Sequence, residues 1–171
     1  DATKIGKKAG SFAISHYKTA AVFVVNNSTG KGIADGFAEV FQAGEGKILF
    51  NNLYSDQETD FRTTLIKIAA TNPEVLLLGG RPKTAVDLLK QTKELRLSQP
   101  IIFHERNAID TKEFLELGKA VEGIVTPSAI ISQNLTNDEL RVLQNYQDRY
   151  QETMPVWAAE SYDAIKLLSM I

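Results

Sequence analysis

The sequence predicts an α/β protein, a three-layer doubly wound domain whose parallel sheet of five strands carries helices on both faces. Three observations lead there. Ala20–Val25 is a short apolar run rich in Val, which suits a parallel strand covered on both sides. The turn formers Asn26, Asn27, Ser28, Thr29 and Gly30 follow it, and then Ile33, Phe37, Val40 and Phe41 make one stripe of an amphipathic helix. This strand–loop–helix pattern recurs along the chain in the order α-β-α-β-α-β-α-β-α-β-α-α. Such alternation implies right-handed crossovers and a parallel sheet.

The elements follow in order. Ile5, Ala9, Phe12 and Ala13 predict an opening helix over Lys4–Ile14, and His16, Tyr17 and Lys18 lead into the first strand. Gly44 and Gly46 stop the second helix, and Lys47–Leu53 is the second strand. Thr59 or Asp60 is expected to cap a third helix with Phe61, Leu65 and Ile68 on one face, which ends at Asn72-Pro73. Val75–Leu78 is an aliphatic third strand closed by Gly79-Gly80. Pro82 suits the first turn of the next helix, continued by Ala85, Val86, Leu88, Leu89 and Leu95. Strand four is Ile101–Phe103, followed by a short helix capped near Asp110. Strand five is Gly123–Thr126. After a loop over Ser128–Leu135, Thr136-Asn-Asp-Glu139 forms a capping box for a helix marked by Leu140, Leu143, Tyr146 and Tyr150. Pro155 separates that helix from a last one, Ala158–Ile171.

Composition narrows the function. A chain of 171 residues suffices for one compact domain with a core. The net charge of −2 and the scattered Lys and Arg argue against nucleic acid, which demands a basic face. No run approaches the roughly 18 apolar residues of a membrane helix. With no cysteine, thiolate zinc sites, Cys nucleophiles and disulfides are excluded. The chain does not begin with Met and closes on apolar Leu167, Leu168, Met170 and Ile171, which predicts a piece cut from something longer.

Several motifs invite chemistry. Gly30-Lys31-Gly32 hints at a nucleotide loop, but Asp35 stands where a dinucleotide fingerprint needs Gly or Ala, and Val25 where a phosphate loop needs Gly. No Gly-x-Ser-x-Gly elbow occurs, and two histidines without suitably spaced partners predict no metal site. Asp56, Glu58 and Asp60 lack the frame of a calcium loop and read as solvated cap charges. What remains is a ring of polar groups at the carboxyl ends of the strands: Asn26–Thr29, Tyr54–Ser55, Arg81, His104–Arg106 and Ser128. Hydroxyls and amides there would orient a small polar ligand, and arginines would meet its anionic groups. Neither a catalytic residue nor a cofactor is expected.

The sequence resembles the type I periplasmic binding proteins, in the branch of the branched-chain amino acid receptors of ABC importers. The resemblance runs through VVNNSTGKGIADGFAEVFQAGEGKI, TDFRTTLIKIAATNPEVLLLGG, PIIF, VEGIVTPSA and ESYDAIKLL. It implies two flavodoxin-like or Rossmann-like lobes closing on a ligand, with residues 1–171 forming the second lobe, its core at about 20–153. The helix over residues 156–171 would then belong to the missing first lobe, and its apolar face would seek another surface, for instance in a homodimer. The ligand positions carried over fall near Thr29 after the first strand, on Arg81 after Gly79-Gly80 and on Glu105 or Arg106 after strand four, and the polar ring at the strand ends adds Asn27, Ser28 and His104 as candidates. Thr29 and Arg81 stand where the leucine-type receptors carry tyrosines, which points to a more acidic ligand such as a carboxylate.

The resemblance implies a non-enzymatic solute-binding lobe, periplasmic or otherwise extracytoplasmic, with a lipid anchor as one option for the full-length protein and an ABC permease as partner of the intact protein. A signalling receptor's sensor lobe and an enzyme on a flavodoxin-like scaffold are the competing readings. The enzyme would need a clustered acid, base or nucleophile, for which only His104 and Glu105 come close.

Overall fold

The computed structural model describes residues 2–104, 114, 116–127 and 135–168. The elements are α1 (Ala2–His16), β1 (Thr19–Val25), α2 (Ser28–Ala43), β2 (Lys47–Tyr54), α3 (Arg62–Thr71), β3 (Val75–Gly79), α4 (Pro82–Glu94), β4 (Ile101–Phe103), a 3₁₀ turn (Gly118–Val121), α5 (Asn137–Tyr150) and α6 (Val156–Leu168). They fall into two compact units, Asp1–Pro127 and Ser128–Ile171.

In the first unit the strands are parallel in the order β2-β1-β3-β4. Period-two alternation divides their side chains between two cores. Ala20, Val22 and Val24, with Val75, Leu77 and Ile102, meet Ala9 and Ala13 of α1 and Ile33, Phe37 and Phe41 of α2. Ala21, Phe23 and Val25, with Leu76, Leu78 and Phe103, meet Leu65 and Ile68 of α3 and Ala85, Leu88 and Leu89 of α4. The central strands are therefore apolar throughout because both faces are covered, and each fully buried Leu or Phe contributes about 1.5–3 kcal/mol. This is the predicted three-layer arrangement.

The count of strands differs from expectation: the described sheet has four. The expected fifth, Gly123–Thr126, makes one parallel bridge, at Val125 opposite Ile102. Phe103 donates its N–H to the Val125 carbonyl at 2.8 Å, and Val125 donates to Ile101 at 3.0 Å. Gly123 turns immediately before at φ +81°, and Pro127 has no N–H to continue the ladder, so pairing stops at one residue.

Helix ends follow local chemistry. Asn27 caps α2, its side-chain oxygen accepting from the Gly30 N–H at 2.8 Å. Asn72 closes α3 in the left-handed conformation, φ 50°, just before Pro73. At the start of α3 neither Thr59 nor Asp60 is the cap. Phe61 occupies that position, buried in the second core, while Asp60 accepts from the Arg62 N–H at 3.2 Å. Core burial of the Phe61 ring overrides the preference for a polar cap. The helix expected near Asp110 lies outside the described residues, apart from the buried Phe114.

Strand β2 forms one margin of the described sheet. Its register against β1 slips between Ala20 and Ala21, opposite Ile48 and Phe50, so Leu49 is passed over and lies exposed.

The second unit contains α5 and α6. The predicted capping box is present: Thr136 accepts from the Glu139 N–H at 3.3 Å, and Glu139 accepts from the Thr136 N–H at 2.7 Å. A groove of about 580 Å³ is lined by Tyr146, Tyr150, Met154, Ala158, Tyr162 and Ile165. Ile165, Leu167 and Leu168 of α6 are exposed. Among the described residues no helix is long and apolar enough to cross a membrane.

Candidate functional site

Open parallel sheets bind ligands outside the carboxyl ends of their strands, at the point where the strand order reverses. With the order β2-β1-β3-β4, that point lies between β1 and β3. The chain leaves β1 towards one side and returns through β3 on the other, so the loops after these strands diverge.

After β1, the Asn26 N–H donates to the Tyr54 carbonyl at 2.7 Å, and Asn27 spends its side-chain oxygen on the α2 cap. Ser28 and Thr29 are exposed on the first turn of α2, whose N–H groups favour an anionic or polar partner. Gly30 is buried directly against β1, since a Cβ there would meet the Val25 carbonyl oxygen at 2.0 Å. Gly30 of the Gly-Lys-Gly run thus serves close helix–strand packing.

After β3, Gly79-Gly80 lies between two rings. The Tyr54 hydroxyl, from the end of β2, donates to the Gly79 carbonyl at 2.9 Å and fills the space a side chain on Gly80 would need. Burial, and to a smaller degree the charge of Asp56, push the Tyr54 hydroxyl up to about 12, partly offset by the Thr84 hydroxyl. From the other side, the His104 ring fills the space next to Gly79. These two glycines let β2 and β4 close rings over the end of β3.

His104 is 5% exposed, and neither ring nitrogen has a hydrogen-bond partner. Its N–H is tied to the Leu78 carbonyl at 3.1 Å, and its ring stacks at 8° to Phe103. Burial pushes the imidazole down to about 4, so it is neutral at pH 7, with one nitrogen able to donate and the other to accept.

Arg81 occupies the N-cap position of α4 without capping it. Its exposed side chain instead places Nε 2.9 Å from Asp56 Oδ2. Of the predicted site residues, the structure brings Asn27, Ser28, Thr29, Arg81 and His104 to one edge of the first unit. Glu105 and Arg106 lie outside the described residues, as does Ser128. His16 is at the opposite end of β1, its Nδ1 2.9 Å from the Phe12 carbonyl oxygen in the last turn of α1. Sequence reasoning undervalued Asp56, which it read as a solvated charge. The available signal was its place two residues beyond a strand end, beside Tyr54. Among the described residues no three His, Asp or Glu converge as metal ligands.

This geometry, a parallel sheet covered on both faces with small, polar and cationic groups at the carboxyl ends of its strands, is that of a doubly wound α/β domain. The family model described as periplasmic binding protein matches residues 1–170, and the chain belongs to that family. No curated protein sequence matches it. Among solved structures it is similar to a leucine-binding protein from Thermotoga maritima, with TM-score 0.86 at 20% identity over 97% of this chain and 48% of that one. It is also similar to an ABC transporter solute-binding protein from R. palustris in complex with benzoate, with TM-score 0.83 at 21% identity over 98% and 46%. A third is a branched-chain amino acid transporter substrate-binding protein from Streptococcus pneumoniae in complex with isoleucine, with TM-score 0.81 at 21% identity over 95% and 47%. The chain spans about half the length of these solved relatives.

Proposed function

We propose that this chain is one lobe of a non-enzymatic solute receptor that works outside the cytoplasm and delivers its ligand to an ABC permease. The ligand is a small polar molecule, an amino acid or another carboxylate, held between this lobe and a second one that closes over it. The observation that supports the reading is that Ser28 and Thr29 follow β1, Arg81 follows β3 and His104 follows β4 along the carboxyl edge of one parallel sheet, in a chain of this family. In this reading Arg81 pairs with the ligand's anionic group, and the neutral His104 supplies a hydrogen bond from a dry position. The benzoate and isoleucine carried by two similar structures are both carboxylates, in keeping with a cation at this edge. Covalent catalysis would require an activated nucleophile, and among the described residues His104, the buried histidine of this edge, has no hydrogen-bond partner to activate.

The test is a thermal-shift panel on the full-length protein with leucine, isoleucine, succinate and benzoate. A ligand at a hundred times its Kd stabilises the folded state by about 2.7 kcal/mol, a readable rise in Tm. A selective rise with one class is expected. No rise with any of the four would overturn the reading.

A further inference from the structure

Of the three carboxylates between β2 and α3, the structure sets Asp56 apart. Its Oδ2 meets Arg81 Nε at 2.9 Å, and its Oδ1 is buried without a hydrogen-bond partner. The loop that carries it is fixed at its far end. Gln91, buried within α4, accepts from the Phe61 N–H at 2.6 Å and donates to the Thr59 carbonyl at 2.8 Å. The loop is therefore stapled to α4 twice, by Asp56 at the first turn and by Gln91 further along.

An ion pair between two free surface side chains contributes little, because both must lose freedom to form it. Here one partner stands on a stapled loop, so the pair restrains mainly the long Arg81 side chain. The contact is made through Nε, and a guanidinium held there can present its Nη groups as a fork to a carboxylate. The same contact brings a negative charge to the place where an anion would bind.

We propose that Asp56 is a positioning residue and a charge counterweight for Arg81. It holds the guanidinium by Nε with the Nη groups turned to the ligand's acidic group. Its own charge lowers the local positive potential, so the subsite favours a carboxylate balanced by a neighbouring cationic group over a bare anion. This rests on Arg81 as the anion contact of the proposed solute site.

The experiment is calorimetry on the full-length protein with isoleucine and with 3-methylpentanoate, the same skeleton without its ammonium group. Asp56→Asn keeps an oxygen acceptor for Nε and removes the charge, whereas Asp56→Ala removes both. Asp56→Asn is expected to tighten 3-methylpentanoate by about threefold and to lower the isoleucine preference accordingly. Asp56→Ala is expected to weaken both probes by about tenfold, because Arg81 is released. The Arg81 Nε–H resonance, assigned by its loss in Arg81→Lys, should stay exchange-protected in Asp56→Asn and lose protection in Asp56→Ala. Equal weakening of both probes by Asp56→Asn, or unchanged binding in Asp56→Ala, would overturn the role of Asp56 while leaving the solute site intact. If Arg81→Ala leaves 3-methylpentanoate binding unchanged, Arg81 is not the anion contact and both readings fall; if neither probe binds the wild type, the preference assigned to Asp56 falls while the solute site is judged on the other carboxylates.

Discussion

Gly36 of α2 faces the Thr3 carbonyl of α1 so closely that a Cβ on Gly36 would lie 2.3 Å from that oxygen. The reciprocal contact has Gly6 of α1 against the Ile33 carbonyl, where a Cβ would lie at 2.2 Å. The two helices touch backbone to backbone, and no side chain can yield to make room. Gly36→Ala gains about 1 kcal/mol of helix propensity, but the forced separation of α1 and α2 outweighs it. A net loss of about 1–3 kcal/mol is expected in urea unfolding. A Cβ on Gly32 would meet nothing nearer than the Ala2 side chain at 3.1 Å, with Thr3 Oγ1 at 3.4 Å, so Gly32→Ala should stay within about 1 kcal/mol of the wild type.

Gly79 and His104 form a second such pair, since a Cβ on Gly79 would lie 1.9 Å from His104 Cδ2. Gly79→Ala should destabilise by about 2 kcal/mol or more through overpacking. His104→Ala alone leaves a cavity, and the double variant relieves the clash. A double-mutant cycle should therefore show coupling of about 1–3 kcal/mol, with the double variant more stable than the sum of the single effects predicts. Additivity would mean that the ring leaves its place freely.

The same histidine gives a pH dependence of known sign. Its folded value of about 4 lies below the ordinary 6.5, so the unfolded chain takes up the proton first. Stability is complete above about pH 6.5 and falls as pH drops through the window down to 4. About 2 kcal/mol should be lost between pH 7.5 and 5 in the wild type, and this part should vanish in His104→Phe. Parallel denaturation curves of the two proteins at both pH values measure it. Curves that fall together would show that His104 is protonated equally in both states.

The α2 cap is testable apart from ligand binding. Asn27→Ala removes the acceptor for the Gly30 N–H and should cost about 1 kcal/mol, and Asn27→Asp should restore it. Circular dichroism melts report both. Equal melting of all three proteins would show that solvent satisfies the Gly30 N–H as well as the side chain does.

Arg81→Ala should weaken binding of an anionic ligand by about 1.5–3 kcal/mol, the range for a hydrogen bond to a charged group. Isothermal titration of benzoate into the full-length variant checks this. Undiminished affinity would remove Arg81 from the site.

Much of the architecture was legible because periodicity reports burial directly. The unbroken apolar run through Ala20–Val25 announced a strand covered on both faces, and its odd and even residues divide between the two cores. Asn72-Pro73 marked the end of α3, and Thr136 with Glu139 marked the start of α5, since these signals act within one turn. The edge carrying Arg81 and His104 was also legible, because it depends only on where strands end. The fifth strand was overcounted, since a four-residue run does not reveal that Gly123 and Pro127 leave one residue free to pair. Asp56 was read as a solvated charge for a different reason. Its contact with Arg81 joins two loops through side-chain reach, and no spacing along the chain encodes that.

Strand β2 leaves a row of backbone groups open on its outer side, an invitation for neighbouring molecules to extend the sheet from chain to chain. The misstep at Leu49 breaks that row after two residues, because the bulge bends the strand out of the flat register that strand addition needs. The bend at Leu49 thus works against strand addition at this margin of the described sheet, a property that would matter most at high concentration.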